Sequence, residues 1–202
     1  MDFFYKFLLK AKPSEYLSNL KKNNKLGNYP MLLLLNNCIH DPLWHPEGNV
    51  WEHTLMVLDI AAELKENISD ENEKLAFMLG ALCHDLGKPF TTDYQNKKVR
   101  SLMHDQIGII PTNILLDKLM VNDCVREKTI AYVKNHLVPL QLYSNMNNVS
   151  DRAIEKLEKR IHIPHLALLT KADHWGRTDD EALKRICEPA DWLLYRYNKI
   201  LG

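Results

Sequence analysis

The sequence has no excess of charge of either sign, since its 202 residues include 26 lysines and arginines and 26 aspartates and glutamates. No overall electric field therefore draws the chain to nucleic acid or to a membrane surface, and any anion-binding site must be local. Long hydrophobic runs are also missing, because the apolar segment MLLLLNN at residues 31–37 is far too short to span a bilayer. With 46% hydrophobic residues and no internal repeat or obvious linker, the chain is predicted to form a single domain over residues 1–202.

Cysteine is sparse, and its four positions show no CxxC spacing. Cys38, Cys83, Cys124 and Cys187 lie in apolar, helix-like surroundings, which predicts reduced core thiols of a cytosolic protein rather than disulfides or a zinc ribbon. The first residues, MDFFYKFLLKAKP, lack the basic start and the small-residue cleavage site of a signal peptide. These features predict a cytoplasmic location without membrane contact.

Hydrophobic residues recur with the period of an α-helix through most of the chain, as Leu75, Leu79, Leu82 and Leu86 do. Helices are predicted over residues 50–64, 72–86, 123–137, 150–161, 164–174 and 178 to about 198. The only strand-like segment covers residues 92–102, where DYQNKK could turn a small β-hairpin. The predicted fold class is therefore all-α.

Capping signals mark the ends of two of these helices. Asp70 with Glu73, and Thr178 with Glu181, have the spacing of a capping box at a helix start. The segment GKP at residues 87–89 should end the first of these helices. Proline lacks the backbone N–H that a helix interior needs, so Pro189 should kink the last helix.

Nine histidines are many for a chain of this length, and three of them precede an aspartate directly. His40–Asp41 comes before a proline in a loop-like segment, so a simple turn explains it. His84–Asp85 instead lies at the end of an apolar helix, where side chains can converge on a point beyond the last turn. Imidazole and carboxylate together suit a divalent transition metal such as iron, manganese, nickel, cobalt or zinc. His104–Asp105 follows the predicted hairpin and starts a helix.

Other polar residues near predicted helix ends could supply further ligands. His53 falls near the start of its helix, on the stripe beside the apolar one. Asp173 ends the apolar run IPHLALLTKAD, where the fold gives no reason for a carboxylate. His136 ends another helix, in AYVKNHLVPL. One pocket could collect these groups from several helices.

The order His53, His84–Asp85, Asp173 resembles that of the metal ligands in the HD-domain superfamily of metal-dependent phosphohydrolases. Three longer segments resemble the HD domain of bacterial CCA-adding tRNA nucleotidyltransferases: HPEGNVWEHTLMVLD from position 45, ALCHDLGKPFTT from position 81 and KADHWGR from position 171. The resemblance covers about residues 37–180. No nucleotidyltransferase motif is present and 202 residues leave no room for that domain, so the expectation is a stand-alone HD helical bundle with N- and C-terminal helical extensions.

The resemblance implies a role for each of these positions. The ligands of a first divalent metal would be His53, His84, Asp85 and Asp173. A second ion would be bound by His104 and His136, with Asp85 as the bridging ligand. Lys88 would face the substrate phosphate, and Asp85 with Lys88 would form the catalytic pair. Trp44, His45 and Arg177 are further candidate substrate contacts, whereas His162, His165 and His174 are expected to be structural or solvated.

Each assignment has a simpler structural alternative. Hydrogen-bonded or ion-paired side chains would explain the pairs His84 with Asp85 and His53 with Asp173, and helix capping or favourable charge at a helix end would explain His104, His136 and Lys88. Loop structure and surface charge would explain the candidate substrate contacts.

The function that the resemblance implies is hydrolysis of a phosphoester by a water molecule that one or two bound metal ions activate. The expected substrate is a nucleotide or a similar small phosphoester. A non-catalytic module that binds nucleotide or tRNA-like RNA is the alternative, although tRNA is not favoured because the only basic cluster, NKKVR at residues 96–100, is short. The sequence offers no context for a Ser–His–Asp or Cys–His nucleophile and no P-loop, which disfavours a covalent route. The oligomeric state is left open.

Overall fold

The computed structural model describes residues 8–42, 45–95, 98–177 and 186–202. Within these ranges the chain forms a bundle of α-helices with one small two-stranded sheet, which confirms the all-α prediction. The helices are α1 (Pro13–Lys22), α2 (Pro30–Leu35), α3 (Val50–Leu64), α4 (Glu71–Cys83), α5 (Lys88–Thr91), α6 (His104–Ile107), α7 (Ile109–Lys118), α8 (Asp123–Asn135), α9 (Val138–Ser144), α10 (Asp151–Glu158), α11 (Ile163–Trp175) and α12 (Glu188–Leu201). In the described part of the chain, no helix has the length and apolar character that crossing a membrane requires.

Side-chain caps fix the starts of the central helices. The side chain of Asn49 accepts a hydrogen bond from the backbone N–H of Glu52 at the start of α3. Asp70 does the same for Glu73 at the start of α4, as the capping pattern predicted. The carboxylate of Glu73 does not return to the cap but bonds to Tyr132 on α8, so only half of the capping box forms.

The helix α4 ends at Cys83, before the predicted end at Leu86. The backbone N–H of Leu86 bonds to the carbonyl of Cys83, and that of Lys88 bonds to the carbonyl of Asp85. These tighter turns replace the regular helix and turn the chain into α5. The pair His84–Asp85, predicted to bind metal, therefore directly follows the last residue of a buried helix, where its side chains point beyond the helix end.

The core forms where α3, α4, α8 and α11 pack together, with α4 in close contact with α8 and α3 in contact with both α4 and α11. Trp51 on α3 is fully buried. Phe77 on α4 meets Tyr132 on α8 edge to face, with ring centroids 5.8 Å apart. These contacts fix the relative positions of the helices that carry the metal-binding candidates.

A polar cluster ties the same helices together at the other end of α4. Glu73 accepts hydrogen bonds from Lys128 and from the hydroxyl of Tyr132, and Nδ1 of His165 on α11 lies 3.4 Å from it. Burial alone would raise the pKa of Glu73, but its contacts with His165, Lys128 and Tyr132 lower that pKa to about 2. His165 therefore has the structural role expected of it.

The predicted hairpin is present as strands β1 (Thr92–Gln95) and β2 (Lys98–Ser101), which pair antiparallel with Thr92 opposite Ser101. The hydroxyls of Thr92 and Ser101 are 2.7 Å apart and close the open end of the hairpin. The chain leaves the hairpin directly into α6, which begins with His104.

Gly87 sits where the chain turns from α4 towards α5 and lies against the backbone of α6. A Cβ atom at this position would lie 2.0 Å from the carbonyl oxygen of His104 and 2.7 Å from the backbone nitrogen of Gly108. Only glycine leaves room for this approach. The residue predicted as a helix stop is therefore also the spacer that lets His104 approach Asp85.

Two predictions need correction, namely the kink at Pro189 and the burial of Cys124. Pro189 lies in the first turn of α12, where a missing backbone N–H costs nothing, and so it does not kink the helix. The predicted cap of Thr178 and Glu181 lies outside the described residues. Cys38, Cys83 and Cys187 are buried thiols as predicted, whereas Cys124 is exposed because it follows the first residue of α8 on the solvent side.

Candidate metal centre

Three histidines present the same ring nitrogen to a common centre. The imidazole Nδ1 of each lies within hydrogen-bond distance of the backbone carbonyl three residues earlier: His84 with Ala81 at 2.9 Å, His104 with Ser101 at 2.7 Å and His136 with Val133 at 2.7 Å. A carbonyl oxygen can only accept, so Nδ1 carries the proton and Nε2 of a neutral ring keeps its lone pair. All three rings are buried, and their Nε2 atoms are therefore available as ligands.

Asp85 lies between these rings and uses both of its carboxylate oxygens. Oδ2 is 3.3 Å from Nε2 of His84 and 3.9 Å from Nε2 of His53. Oδ1 is 3.3 Å from Nε2 of His104. Only 2% of the Asp85 side chain is exposed, so this charge depends on its immediate neighbours.

A second carboxylate approaches from the end of α11. Oδ1 of Asp173 is 3.1 Å from Nε2 of His53 and accepts a hydrogen bond from Arg177 at 3.1 Å. Burial would raise the pKa of Asp173, but Arg177 and His53 hold that pKa well below its ordinary value. The pKa of Asp85 is likewise held low, because His84 and Lys88 outweigh its burial. Both groups are carboxylates at neutral pH.

The six residues predicted as metal ligands form two adjacent trios. The first trio is His53, His84 and Asp173, and the second is Asp85, His104 and His136. Within each trio the potential ligand atoms all lie within 4.8 Å of one another. Asp85 stands in the second trio but turns Oδ2 towards the first, which is the arrangement that a bridging carboxylate needs.

The chemistry of these donors fits a divalent transition metal. Nitrogen from imidazole and oxygen from carboxylate form the ligand set that such ions prefer. Nε2 of His84 is buried and has no hydrogen-bond partner among the described residues, although burying such an atom without a partner is costly. Burial lowers the pKa of His136 to about 3, so this ring is neutral at physiological pH.

Lys88 contacts both the centre and a residue that the sequence pattern did not reveal. Its Nζ lies 2.8 Å from Oδ2 of Asp85 and donates to Nε2 of His40, also at 2.8 Å. The prediction that His40–Asp41 only forms a turn is wrong for His40, whose side chain is buried in the centre. An antiparallel bridge between Ile39 and Asn49 folds this loop back over the helix ends.

The same loop carries His45 and Glu47. Nδ1 of His45 is 2.8 Å from Oε1 of Glu47, and the His45 ring stacks on His40 with centroids 3.8 Å apart. Trp44, the other candidate in this loop, lies outside the described residues. Glu47 was not among the predicted site residues, and the only signal that could have pointed to it is its place in the segment HPEG.

A cavity of about 970 Å³ opens over the centre. This volume is at the upper end of the roughly 300–1,000 Å³ typical of ligand sites. Four of the metal-binding candidates line it, together with Lys88, His45 and Arg177: Asp85, His104, His136 and Asp173. The apolar part of the lining, called here the apolar wall, consists of Leu137, Leu140, Tyr143, Ile186 and Pro189. His174 also lines the cavity, while His162 contacts Glu158 at the surface.

The family model described as HD domain matches residues 50–193, which is most of the chain. The chain belongs to the HD domain family. This family is generally one of metal-dependent hydrolases, and the His and Asp residues of the two trios are able to hold a metal.

Curated relatives extend the similarity beyond the family model. The protein named Multifunctional CCA protein in Pasteurella multocida (strain Pm70) is 30% identical over 197 residues, which are 95% of this chain and 46% of the relative. The protein of the same name in Xanthomonas campestris pv. campestris (strain B100) is 31% identical over 179 residues, or 85% and 41% of the two chains. This chain thus spans less than half the length of these relatives, and the resemblance of its HD portion to CCA-adding enzymes is confirmed.

Proposed function

We propose that this HD domain, over residues 1–202, is a metal-dependent phosphohydrolase that acts on a nucleotide or a similar small phosphoester. The observation that carries the proposal is the convergence of imidazole Nε2 atoms on Asp85, with three of the rings oriented by backbone carbonyls. A helix-capping or ion-pairing role would not need several buried rings with the same nitrogen aimed at one carboxylate. Binding of a cation would need this arrangement.

The proposed ligands follow the two trios. His53, His84, Asp85 and Asp173 would hold the first ion, and His104 and His136 would hold a second ion that shares Asp85. Iron, manganese, nickel, cobalt and zinc all suit these donors. When bound, such ions supply Lewis acidity and lower the pKa of a water molecule enough for it to attack phosphorus at neutral pH.

Lys88 would stabilise the negative charge that develops on the phosphate oxygens during hydrolysis. Its ammonium group is held between Asp85 and His40 and lines the cavity, so it reaches the place where a phosphate beside the ions must lie. A charge fixed in advance in a buried site is most effective in the transition state. Arg177, fixed by Asp173, and His45 line the same cavity and would contact the rest of the phosphoester.

The apolar wall supports a substrate with a flat organic group. Leu140 and Tyr143 on α9 line the cavity together with Ile186 and Pro189, which lie near the start of α12. A phosphate alone would leave this part of the cavity empty, whereas a base could pack there while its phosphate meets the centre. Stacking on Trp44 stays a prediction from the sequence. Balanced charge supports one or two nucleotides rather than a long nucleic acid as the substrate.

A non-catalytic module that binds nucleotide or tRNA-like RNA is the second candidate. Lys98 and Arg100 are exposed on β2, whose residues Val99 and Ser101 line the cavity, so basic side chains flank the opening. The similarity to proteins named Multifunctional CCA protein makes an RNA partner a reasonable comparison. Such a module would bind phosphates through these residues without turnover.

Elemental analysis of the purified protein, followed by a metal-supplemented hydrolysis screen, separates the two candidates. The screen should include phosphomonoesters, 2′,3′-cyclic nucleotides and dinucleoside polyphosphates. Metal-dependent release of product from one of these classes supports the phosphohydrolase. A metal-loaded protein that binds nucleotide or tRNA but turns over none of them would favour the binding module.

A further inference from the structure

One buried carboxylate in the loop between α2 and α3 contacts two histidines of the centre. Oε1 of Glu47 is 2.8 Å from Nδ1 of His45 and 2.8 Å from Nδ1 of His53. The Glu47 side chain is only 4% exposed. A carboxylate at this depth needs partners, and it has one imidazole from its own loop, that of His45, and one from α3, that of His53.

The backbone of this loop is held at several points, so the position of Glu47 is built into the fold. Ile39 and Asn49 form an antiparallel bridge that closes the loop at its base. Gly48 has a φ of +120°, a backbone conformation that residues with a side chain rarely adopt and that glycine tolerates. The next residue, Asn49, caps α3, the helix that carries His53.

His53 needs such a partner because it cannot use the device that orients the other three histidines. His84 and His136 follow the last turns of their helices, where backbone carbonyls are free to accept from Nδ1, and His104 uses the carbonyl of Ser101 at the end of β2. His53 lies inside the first turns of α3, and the carbonyl three residues earlier, that of Val50, already accepts from the hydroxyl of Thr54 at 2.7 Å. The carboxylate of Glu47 lies next to Nδ1 of His53, as a backbone carbonyl does for each of the other three rings.

The charge of Glu47 favours a ring proton on Nδ1 of His53, which is the tautomer that a metal bound at Nε2 would require. In this structure Nε2 lies within hydrogen-bond distance of Oδ1 of Asp173, at 3.1 Å, and 3.9 Å from Oδ2 of Asp85. Although Oε1 of Glu47 is 2.8 Å away, Nδ1 of His53 has no hydrogen-bond partner among the described residues, so the effect of Glu47 on this ring is mainly electrostatic. A negative charge next to a metal-binding imidazole also makes that imidazole a stronger electron-pair donor to the metal.

We propose that Glu47 is a positioning residue that prepares His53 for metal binding and holds His45 against the substrate cavity. The proposal rests on the metal-binding role of His53 proposed above. Because a single oxygen serves both rings, one substitution should change two measurable properties: the affinity of one ion and the KM for substrate. Replacing His45 alone should change only the second.

The test is a chelator competition titration of the metal-free full chain with Zn²⁺ and with Co²⁺, read by chelator absorbance and by the visible spectrum of bound Co²⁺. Glu47→Gln keeps the size of the side chain but removes its charge. One ion per chain should bind roughly 10–100-fold more weakly, the usual effect of losing a group that orients a metal-ligating histidine. Binding of the other ion should be as in the wild type. Glu52→Gln, at a half-exposed glutamate on α3, the helix of His53, is the matched control and should bind both ions normally.

Two further variants separate the explanations. His45→Ala should keep wild-type metal affinity and raise KM, whereas His53→Ala should lose the same ion that Glu47→Gln weakens. Wild-type affinity in Glu47→Gln, together with loss in His53→Ala, would overturn the role of Glu47 alone. Unchanged binding in both variants would instead contradict the metal-binding role of His53. If Glu47→Gln does not fold, Glu47→Asp keeps the charge but is too short to reach both rings, and wild-type affinity in that variant would equally overturn the proposal.

Discussion

Nε2 of His104 lies 3.1 Å from Nε2 of His136, although each ring has its Nδ1 on a backbone carbonyl. Two nitrogen lone pairs that face each other at this distance repel unless a proton or a metal ion lies between them. Asp85 is on the His104 side of the pair, and it raises the pKa of His104 against the effect of burial. The geometry therefore favours positive charge at this point, which supports a second cation there.

Asp85→Ala should remove both bound metal and hydrolytic activity. The substitution deletes the one carboxylate that faces both trios and leaves Lys88 and His104 close together without the negative charge between them. Elemental analysis and a hydrolysis assay measure the two effects. Asp105→Asn is the control, since that carboxylate accepts from Gln106 and belongs to neither trio. Full metal content and activity in Asp85→Ala would contradict the proposed centre.

His104→Ala should lose about half of the bound metal and most of the activity, because a two-ion site needs both ions to stabilise attacking and leaving oxygens. The first ion should stay, since the atoms of His53, His84 and Asp173 are not disturbed. Metal-to-protein ratios measured before and after dialysis check this. His162→Ala, at a surface histidine that contacts Glu158, serves as the control. An unchanged ratio in His104→Ala would reduce the centre to a single ion.

Lys88→Ala should lower kcat more than it raises KM. The ammonium group is most useful when negative charge builds up on phosphorus, so its loss falls mainly on the transition state. Steady-state kinetics with the best substrate of the screen give both constants. Lys98→Ala, an exposed lysine near the cavity rim, provides the comparison. A pure rise in KM would show that Lys88 only binds the ground state.

Leu140→Ala should raise KM for a nucleoside monophosphate but leave the kinetics of a phosphoester without a base unchanged. Leu140 belongs to the apolar wall and to neither trio, and its side chain has no atom that could bind a metal ion. Parallel assays with the two substrates give the ratio of specificity constants. The same assays should include intact tRNA across a salt series. Preferred and strongly salt-dependent processing of tRNA would contradict a small substrate.

Stability should fall as the pH drops from about 4.5 towards 2 because of Glu73. Its pKa is lower in the folded chain than in the unfolded chain, so the carboxylate stabilises the fold above the unfolded value and this contribution disappears as the folded chain is protonated. Glu73→Gln should be less stable at neutral pH and show a shallower loss over the same interval. Urea denaturation at several pH values measures the difference, and Glu71→Gln, at an exposed position of the same helix, is the control.

Helix-end placement made much of the centre predictable from the sequence. His84 and His136 directly follow the last residues of α4 and α8, where the carbonyls of the last turn are free to orient the rings. The helix α3 was predicted with its correct bounds, because its apolar stripe runs over the same residues. Periodicity and the cap at Asp70 are local signals, and they placed the central helices that carry His53, His84 and His136.

His40 and Glu47 could not be found in this way. Both lie in a loop, where no periodic pattern marks the buried side, and their burial depends on the bridge between Ile39 and Asn49. The apolar wall was equally hidden, because Leu140 and Pro189 are far apart in the sequence and meet only when α9 packs on α12. Contacts between distant segments decided these features.

The tight approach at Gly87 has a consequence for how such domains diversify. A single methyl group there would push α6 outwards and carry His104 away from Asp85, while every proposed ligand stayed in the sequence and every helix kept its pattern. Two relatives with identical ligand sets could then differ in the number of ions they hold. The number of ions that such a centre binds would thus depend on the residue at position 87, which is not itself a ligand.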